Sequence, residues 1–289
     1  MTSLGAVGLM ACTRQDASPP PPVRLNIPEA FDLSALEAAH GGRIGFAARD
    51  TASGLTLVHR GDERFVYCST FKMYLAAATL MRIQAGEERL ERMIPITAAD
   101  MVNHAPVTEP AIGGALSVER LMQAVVEVSD NPAANLLLKA MGGLEPMRAF
   151  YRSLGDATTR VDRFEPEMNR LDGDKDTILP LQSLENMQRL FLDPATPLSA
   201  ASKEQLLGWM FASPTGASRI KAGVPAGWRV AHKTGTGGYG PTNDIGVIYT
   251  PAGAPILLAV YYHAPADRPQ NETVIAEVTR LALAELRPA

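Results

Sequence analysis

The sequence predicts an α+β fold in which an antiparallel sheet, built from the N- and C-terminal segments and flanked by helices, carries a large all-helical insertion. Three observations lead to this prediction. Strand-like segments occur at both ends of the chain. Helix-like segments separated by Gly, Pro and Asp fill the middle. Of the 289 residues, 46% are hydrophobic and 20% are charged, which is typical of a globular protein with a buried core.

The first elements follow from the pattern of apolar and turn residues near the N-terminus. Residues 28–40 are predicted to form a helix, because their apolar side chains recur near one face and a Gly-Gly pair follows them. Residues 43–50 and 55–59 are predicted to be strands on either side of a glycine-containing turn.

Three more strands are predicted near the C-terminus, over 228–235, 244–249 and 255–262. Turns that contain Gly and Pro separate them. An amphipathic helix over 272–286 follows the last strand.

These elements predict one domain over residues 28–289. Its α/β part comprises 28–68 and 211–289, and its helical part comprises 69–210. We expect a cleft where the two parts meet, because ligand sites favour such junctions.

Residues 1–27 are interpreted as a leader outside this domain. An apolar stretch rich in small residues ends in Ala11-Cys12, which resembles a bacterial lipoprotein processing site. The polar, Pro-rich segment 13–23 reads as a stiff, extended tether. This interpretation predicts a lipid anchor at Cys12 and a location in the periplasm or cell envelope of a bacterium. The alternative is a disordered tail in which the cysteine is coincidental.

Charge, cysteine and histidine content argue against several classes of function. The net charge is −4 and no basic cluster is interleaved with aromatic residues, so no nucleic-acid partner is expected. No apolar run is long enough to span a bilayer. If Cys12 is lipidated or removed, Cys68 has no partner, so no disulfide is predicted. The histidines lack the spacing of metal ligands, so no metal site is expected.

Ser69 and Lys72, at the start of the helical part, are the first candidate catalytic pair. Their spacing puts a hydroxyl and an amine on one face of a helix, where a neutral amine can activate the hydroxyl as a nucleophile. Unpaired N–H groups at a helix N-terminus also favour a developing oxyanion. The pattern alone is weakly specific, since Ser218 and Lys221 repeat it.

Three further segments carry candidate residues. They are the turn Ser129-Asp130-Asn131, the acidic loop from Arg163 to Asp176 with Glu165, Glu167 and Asn169, and the strand end Lys233-Thr234-Gly235-Thr236. Each has an ordinary structural interpretation by itself: a helix N-cap, a solvated loop, and a strand that leads into a turn. Their occurrence together, in this order, is specific.

Together with Ser69 and Lys72, these segments resemble the motif set of the class A serine β-lactamases, which are related to the penicillin-binding proteins. The resemblance extends from Pro28 to the C-terminus. The run Arg-Phe-Glu-Pro-Glu-Met-Asn around Glu165 distinguishes class A from the penicillin-binding relatives. The resemblance implies that a monomer without a cofactor hydrolyses the β-lactam amide bond of antibiotics.

The resemblance also implies how the antibiotic is opened. Ser69 attacks the β-lactam carbonyl and becomes acylated, with Lys72 or Glu165 as the base. Ser129 passes a proton to the departing nitrogen. Lys233 supplies positive potential beside Lys72, and two nearby cations lower each other's pKa. The oxyanion lies between the backbone N–H groups of Ser69 and Thr236.

Hydrolysis of the acyl-enzyme is assigned by the same resemblance to Glu165, as general base, and Asn169, which hold the water together. The other expected substrate contacts are Asn131 on the amide side chain, Lys233, Thr234, Gly235 and Thr236 around the carboxylate, Arg219 as a further carboxylate anchor, and His104 at the position of an aromatic gatekeeper. A guanidinium suits a carboxylate because its donors form a planar fork.

Three features depart from the family pattern. His104 stands where an aromatic residue is common; it can stack on a ligand and titrate, and simple packing is the equal alternative. The loop from Arg163 to Asp176 is slightly shorter than expected, although these two residues resemble the pair that pins its ends by a buried salt bridge. Cys68 precedes the nucleophile as in several carbapenem-hydrolysing members, but Gly237 stands where its disulfide partner would be. Carbapenem hydrolysis is therefore not predicted from Cys68.

Two alternative functions share the serine and lysine motifs. One is a penicillin-binding DD-peptidase, and the other is a non-hydrolytic β-lactam sensor domain. Neither needs Glu165 and Asn169, so sustained hydrolysis of a β-lactam distinguishes the prediction from both alternatives.

Overall fold

The computed structural model describes residues 28–238, 240–251, 253–265, 267 and 270–287. The predicted leader, with Cys12, lies outside them. In chain order the helices and strands are β1 (Glu29–Ala30), α1 (Ser34–His40), β2 (Arg43–Asp50), β3 (Thr56–His59), β4 (Phe65–Val66), α2 (Phe71–Gln84), β5 (Met93–Pro95), β6 (Ala115–Ser117), α3 (Val118–Glu127), α4 (Asn131–Ala140), α5 (Glu145–Ser153), β7 (Thr177–Ile178), α6 (Pro180–Phe191), α7 (Ala200–Ala212), α8 (Ile220–Gly223), β8 (Arg229–Thr236), β9 (Pro241–Tyr249), β10 (Ile256–His263) and α9 (Thr273–Leu286).

Strands from both ends of the chain form the central sheet, which confirms the predicted α+β fold. The strand order is β1-β3-β2-β10-β9-β8, and neighbours are antiparallel except β1 and β3, which run parallel. The C-terminal strands and helix lie within three residues of their predicted bounds. β8 forms one edge of the sheet and pairs with β9, so that Thr234 lies opposite Asp244.

The predicted helix over 28–40 is wrong in its first half. β1 pairs with β3 there, and the N–H of Phe31 donates to the backbone oxygen of Val58 at 2.7 Å. Helix α1 begins only at Ser34, whose N–H donates to Asp32 Oδ1 at 2.9 Å. Pairing with a strand that is distant in sequence outweighs the local helical pattern.

The helical part also contains short strands, so the prediction of an all-helical insertion is too simple. β5 pairs with β6, and β7 pairs with β4. Each of these strands has two or three residues. Segments of that length are too short to display an alternating pattern, which is why the sequence does not reveal them.

Two hydrophobic cores lie on opposite faces of the sheet. Alternate side chains of β10 enter different cores: Leu257 and Ala259 face the helical part, whereas Leu258 and Val260 face α1 and α9. Helix α2 runs through the first core, and its residues 71–80 are all buried. The first turn of this enclosed helix, next to β8, is therefore a rigid place for a site.

Candidate active site

The turn that carries Ser69 lies at the junction between the sheet and the helical part. Cys68–Thr70 forms one turn of 3-10 helix that leads directly into α2. Asn243, on β9, donates from Nδ2 to the backbone oxygens of Val66 and Tyr67 at 2.9 and 3.1 Å. These bonds hold the chain just before the turn. Ser69 itself lines a cleft of about 560 Å³.

Strand β8 passes close to this turn at Gly235. A Cβ atom on Gly235 would lie 2.7 Å from the backbone oxygen of Tyr67 and 3.0 Å from the backbone nitrogen of Thr70. Only glycine allows so close an approach without displacement of the backbone. Thr236, the next residue of β8, therefore lies beside the turn, and it lines the same cleft as Ser69.

Lys72 lies under the cleft, one turn into the helix, with no exposed side-chain surface. Its Nζ donates to the backbone oxygen of Ser129 at 2.7 Å and to Asn131 Oδ1. It also lies 3.0 Å from Glu165 Oε1 and 3.4 Å from Ser129 Oγ. The Lys72 amine thus connects two of the three predicted segments, the turn 129–131 and the acidic loop.

Lys233 reaches the same serine from the opposite side. Its Nζ donates to Ser129 Oγ at 3.2 Å and to the backbone oxygen of Thr234 at 2.8 Å. Burial, and then the Lys72 cation, lower the pKa of Lys233 well below its ordinary value. Burial likewise lowers the pKa of Lys72, although the Glu165 carboxylate opposes that shift.

The turn between α3 and α4 holds Ser129 in position through its neighbour Asp130. Ser129 has a positive φ of 63°. Asp130, not Ser129, caps α4 by accepting from the N–H of Ala133 at 2.9 Å. The same carboxylate accepts from the N–H groups of Val107 and Thr108, both at 2.9 Å. The buried Asp130 side chain therefore ties this turn to the preceding loop.

The acidic loop presents Glu165 to Lys72 through two sets of contacts. Asn169 donates from Nδ2 to Glu165 Oε2. Asn135, on α4, binds the Glu165 backbone twice: its Oδ1 accepts from the N–H and its Nδ2 donates to the oxygen, both at 2.9 Å. At the ends of the loop, Arg163 Nε and the buried Asp176 Oδ2 are 2.6 Å apart. Glu165 thus lies beside Lys72.

Asn131 and His104 form the wall opposite β8. Asn131 Nδ2 donates to the backbone oxygen of Asn103 at 2.9 Å, which orients the amide that accepts from Lys72. His104 lines the cleft with a positive φ of 61°, and its Nε2 is 2.8 Å from the backbone oxygen of Val128.

Arg219 is buried beside the strand end. Its guanidinium donates to the backbone oxygens of Gly235 and Asn243 at 3.1 and 2.8 Å and to Thr236 Oγ1 at 2.7 Å. Glu272 Oε1 lies 2.6 Å from Nη2. A negative charge therefore already faces this arginine at the edge of the cleft.

In the part of the chain that the structure describes, no group of three His, Cys, Asp or Glu side chains is arranged to hold a metal ion. Cys68 is buried as a free thiol, and burial raises its pKa. No helix among the described residues is both long and apolar enough to cross a membrane.

Comparisons with known proteins identify the family. The β-lactamase enzyme family matches residues 30–286. The chain is 45% identical to the carbapenem-hydrolysing β-lactamase KPC of Klebsiella oxytoca, over 88% of this chain and 87% of that protein. It is 41% identical to β-lactamase L2 of Stenotrophomonas maltophilia, over 96% and 92%. A solved structure of an ancestral class A β-lactamase matches with a TM-score of 0.84 and 47% identity, over 88% and 98%. This chain belongs to the class A β-lactamases.

A class A β-lactamase is a hydrolase that opens β-lactams, and it confers resistance to these antibiotics. In this class A β-lactamase the cleft gathers most residues singled out in the sequence. Those that line it are Ser69, His104, Ser129, Asn131, Asn169, Arg219, Thr234 and Thr236. Those fully or almost fully buried beside it are Lys72, Glu165, Lys233 and Gly235.

Sequence reasoning missed several residues that hold this β-lactamase site together. They are Asp130 as an anchor, Asn135, Thr215, Asn243 and Glu272. Thr215 Oγ1 lies 2.9 Å from Thr234 Oγ1. A polar residue within an apolar run, Asn135 in α4, was one available signal, because a buried amide needs partners. Asn243 stands between Thr242 and Asp244, so no such run marks it. Nothing in the sequence links Glu272 to Arg219.

Proposed function

We propose that this class A β-lactamase acts through an acyl-enzyme on Ser69 that is hydrolysed by a water molecule activated by Glu165. The contact between Lys72 Nζ and Glu165 Oε1, with Asn169 on the other carboxylate oxygen, is the observation that carries the proposal. A DD-peptidase or a β-lactam sensor needs the lysine but not this carboxylate and amide.

In the first half-reaction Ser69 Oγ adds to the β-lactam carbonyl carbon and its proton passes to the Lys72–Glu165 pair. The lowered pKa of Lys72 supports a share of neutral amine that can accept a proton. Ser129 Oγ, between two ammonium groups at 3.4 and 3.2 Å, then delivers a proton to the nitrogen as the C–N bond breaks. The product is an ester on Ser69 with the ring opened.

The oxyanion of each tetrahedral intermediate is stabilised by the backbone N–H groups of Ser69 and Thr236. Donors held by rigid backbone need no reorganisation when charge develops. The close approach of β8 at Gly235 supports this assignment, because it brings strand and turn together.

The β-lactam carboxylate binds at the β8 end of the cleft. The hydroxyls of Thr234 and Thr236 and the guanidinium of Arg219 lie there, with the Lys233 ammonium behind them. On the opposite wall, Asn131 binds the amide side chain and His104 contacts the substituent beyond it. Opposite charges at one end orient the substrate as well as bind it.

In the second half-reaction Glu165 removes a proton from a water molecule that Asn169 helps to hold. The hydroxide adds to the ester carbonyl, and the C–O bond to Ser69 breaks as the oxygen regains its proton. Without this step the enzyme would remain acylated.

Two experiments test this function. Stopped-flow hydrolysis of a chromogenic cephalosporin should continue for many turnovers per enzyme, whereas a stoichiometric burst alone would indicate a DD-peptidase or a sensor. Ser69→Ala should lose hydrolysis and should not acquire the mass of a bound antibiotic. Hydrolysis that survives this substitution would require another nucleophile.

We also propose that the mature protein is a monomer in the bacterial periplasm or cell envelope, held by lipid on Cys12. The support is the apolar segment that ends in Ala11-Cys12. Mass spectrometry of a bacterial membrane fraction should detect a lipidated Cys12, and light scattering of the residues after it should give one chain's mass. An unmodified Cys12 on a soluble protein would contradict the anchor.

A further inference from the structure

A buried histidine–aspartate pair lies behind the cleft and has no part in the proposed steps. His232 precedes Lys233 on β8, and Asp244 lies on β9. Neither side chain is exposed, and His232 Nδ1 is 2.9 Å from each carboxylate oxygen. Because side chains alternate along a strand, the pair lies on the opposite face of β8 from the Lys233 side chain, which contacts Ser129.

The bond to Asp244 orients the ring of His232. A carboxylate oxygen can only accept a hydrogen bond, so Nδ1 carries a proton and donates it to Asp244.

The pair contacts the chain on both sides of Arg219. On one side, Gly216 packs over the ring, and a Cβ atom there would lie 3.0 Å from His232 Cε1. On the other side, the N–H of Ile220 donates to Asp244 Oδ2 at 3.2 Å. The N–H of Arg219 donates to the oxygen of Gly216 at 3.0 Å. The Arg219 backbone is thus held between one contact to the ring and one to the carboxylate.

The side chain of Arg219 depends on the same strand. Its Nη1 donates to the oxygen of Asn243, the residue before Asp244, at 2.8 Å. Its Nη2 donates to Thr236 Oγ1 at the cleft. The guanidinium therefore spans from the backbone next to the buried pair to the carboxylate end of the cleft.

We propose that His232 is a positioning residue: by its bond to Asp244 and its contact with Gly216, it fixes the segment 216–220 so that Arg219 meets the β-lactam carboxylate. This inference rests on the proposed function, in which Arg219 binds that carboxylate. Positioning by a packed and hydrogen-bonded neighbour acts on binding through the group it orients.

Steady-state kinetics with benzylpenicillin test the proposal through a split between KM and kcat. His232→Ala removes both contacts, and KM should rise about tenfold while kcat changes less than about twofold. His232→Asn keeps a donor near the position of Nδ1 and should restore KM to within about threefold of wild type. As a matched control, His40→Ala removes a histidine 3.1 Å from Glu277, outside the cleft, and should leave KM unchanged.

A double variant shows whether His232 acts through Arg219. In an Arg219→Ala background, His232→Ala should raise KM by less than about twofold, because two residues that act through one contact are not additive. A full tenfold rise in that background overturns the proposal, as does an unchanged KM in the single variant.

If His232→Ala does not fold, Asp244→Asn takes its place. This variant keeps the shape of the side chain and weakens its hydrogen bonds to His232 Nδ1 and to the N–H of Ile220. The same rise in KM and the same lack of additivity are expected, and additivity would again overturn the proposal. Absence of sustained turnover by the wild-type enzyme would instead contradict the proposed function, so the two failures are distinguishable.

Discussion

Lys72 and Glu165 form a contact that is closed to solvent: Nζ and Oε1 are 3.0 Å apart, and neither side chain has exposed surface. Removal of either partner leaves an uncompensated buried group, which is costly. The two residues are also assigned to different half-reactions. Substitutions here should therefore separate acylation from hydrolysis of the acyl-enzyme.

We expect Glu165→Gln to accumulate acyl-enzyme. The amide keeps the shape of the side chain but cannot take a proton from water, so turnover should fall about 10²- to 10⁴-fold. Intact-protein mass spectrometry after mixing with a penicillin should detect enzyme plus antibiotic. Glu167→Gln, two residues away and exposed, is the matched control and should turn over normally. Rapid turnover by Glu165→Gln would mean that another group activates the water.

We expect Gly235→Ala to lose most activity while Gly238→Ala keeps it. The added methyl group at 235 would meet backbone atoms at 2.7 and 3.0 Å, so β8 must move away from the Ser69 turn. At Gly238, which also lines the cleft, no atom lies within 4 Å of an added Cβ. The activities of Gly235→Ala and Gly238→Ala are compared by measuring kcat/KM for a chromogenic cephalosporin. Equal losses in both variants would show that the close approach is unimportant.

We expect Glu272→Gln to tighten the binding of β-lactams through their carboxylate. Glu272 now offsets the charge of Arg219 at 2.6 Å, and its own charge opposes an incoming anion. KM should fall about threefold, with kcat nearly unchanged. Arg219→Ala should shift KM in the opposite direction. A higher KM for Glu272→Gln would indicate that the carboxylate mainly holds the guanidinium in place.

We expect His263→Phe to reduce the loss of stability in acid. Burial, and then the charge of Arg43, lower the pKa of His263 from 6.5 to about 4. Between these pH values the unfolded chain takes up a proton that the folded protein does not. Wild-type stability should therefore fall as pH falls from 6.5 to 4, by on the order of 3 kcal/mol.

Phenylalanine does not titrate, so the His263→Phe variant lacks this contribution. Thermal unfolding at pH 7 and at pH 4.5 measures the difference in Tm for each protein. The drop should be smaller in the variant than in the wild type. Equal drops would show that His263 takes up a proton in the folded protein as readily as in the unfolded chain.

The fold was predictable where each segment carries its own pattern. The strands β2, β9 and β10 and the helix α9 have clear apolar periodicity and appear close to their predicted bounds. The helix predicted from Pro28 failed because Phe31 finds a partner at Val58, far along the sequence. Short pairs such as β5 and β6 depend wholly on such distant partners.

The site was predictable to the extent that chemistry lies in short motifs. Four catalytic candidates each belong to a short sequence motif: Ser69, Ser129, Glu165 and Lys233. The groups that orient them do not: Asn135 acts on the backbone of a loop thirty residues away. Such contacts form only when distant segments pack together. A single sequence therefore does not indicate which side-chain amide will bind the backbone of which loop.

The carboxylate of Asp176 closes the acidic loop, and this has a consequence for changes in the length of the loop. It accepts from Tyr67 Oη, from Arg163 Nε and from two backbone N–H groups at the other end of the acidic loop. The entropy of closing a loop changes only with the logarithm of its length. Insertion or deletion of residues within the exposed stretch 171–175 should therefore cost little stability. Glu165 should keep its place in such variants, because its anchor is Asn135, outside that stretch.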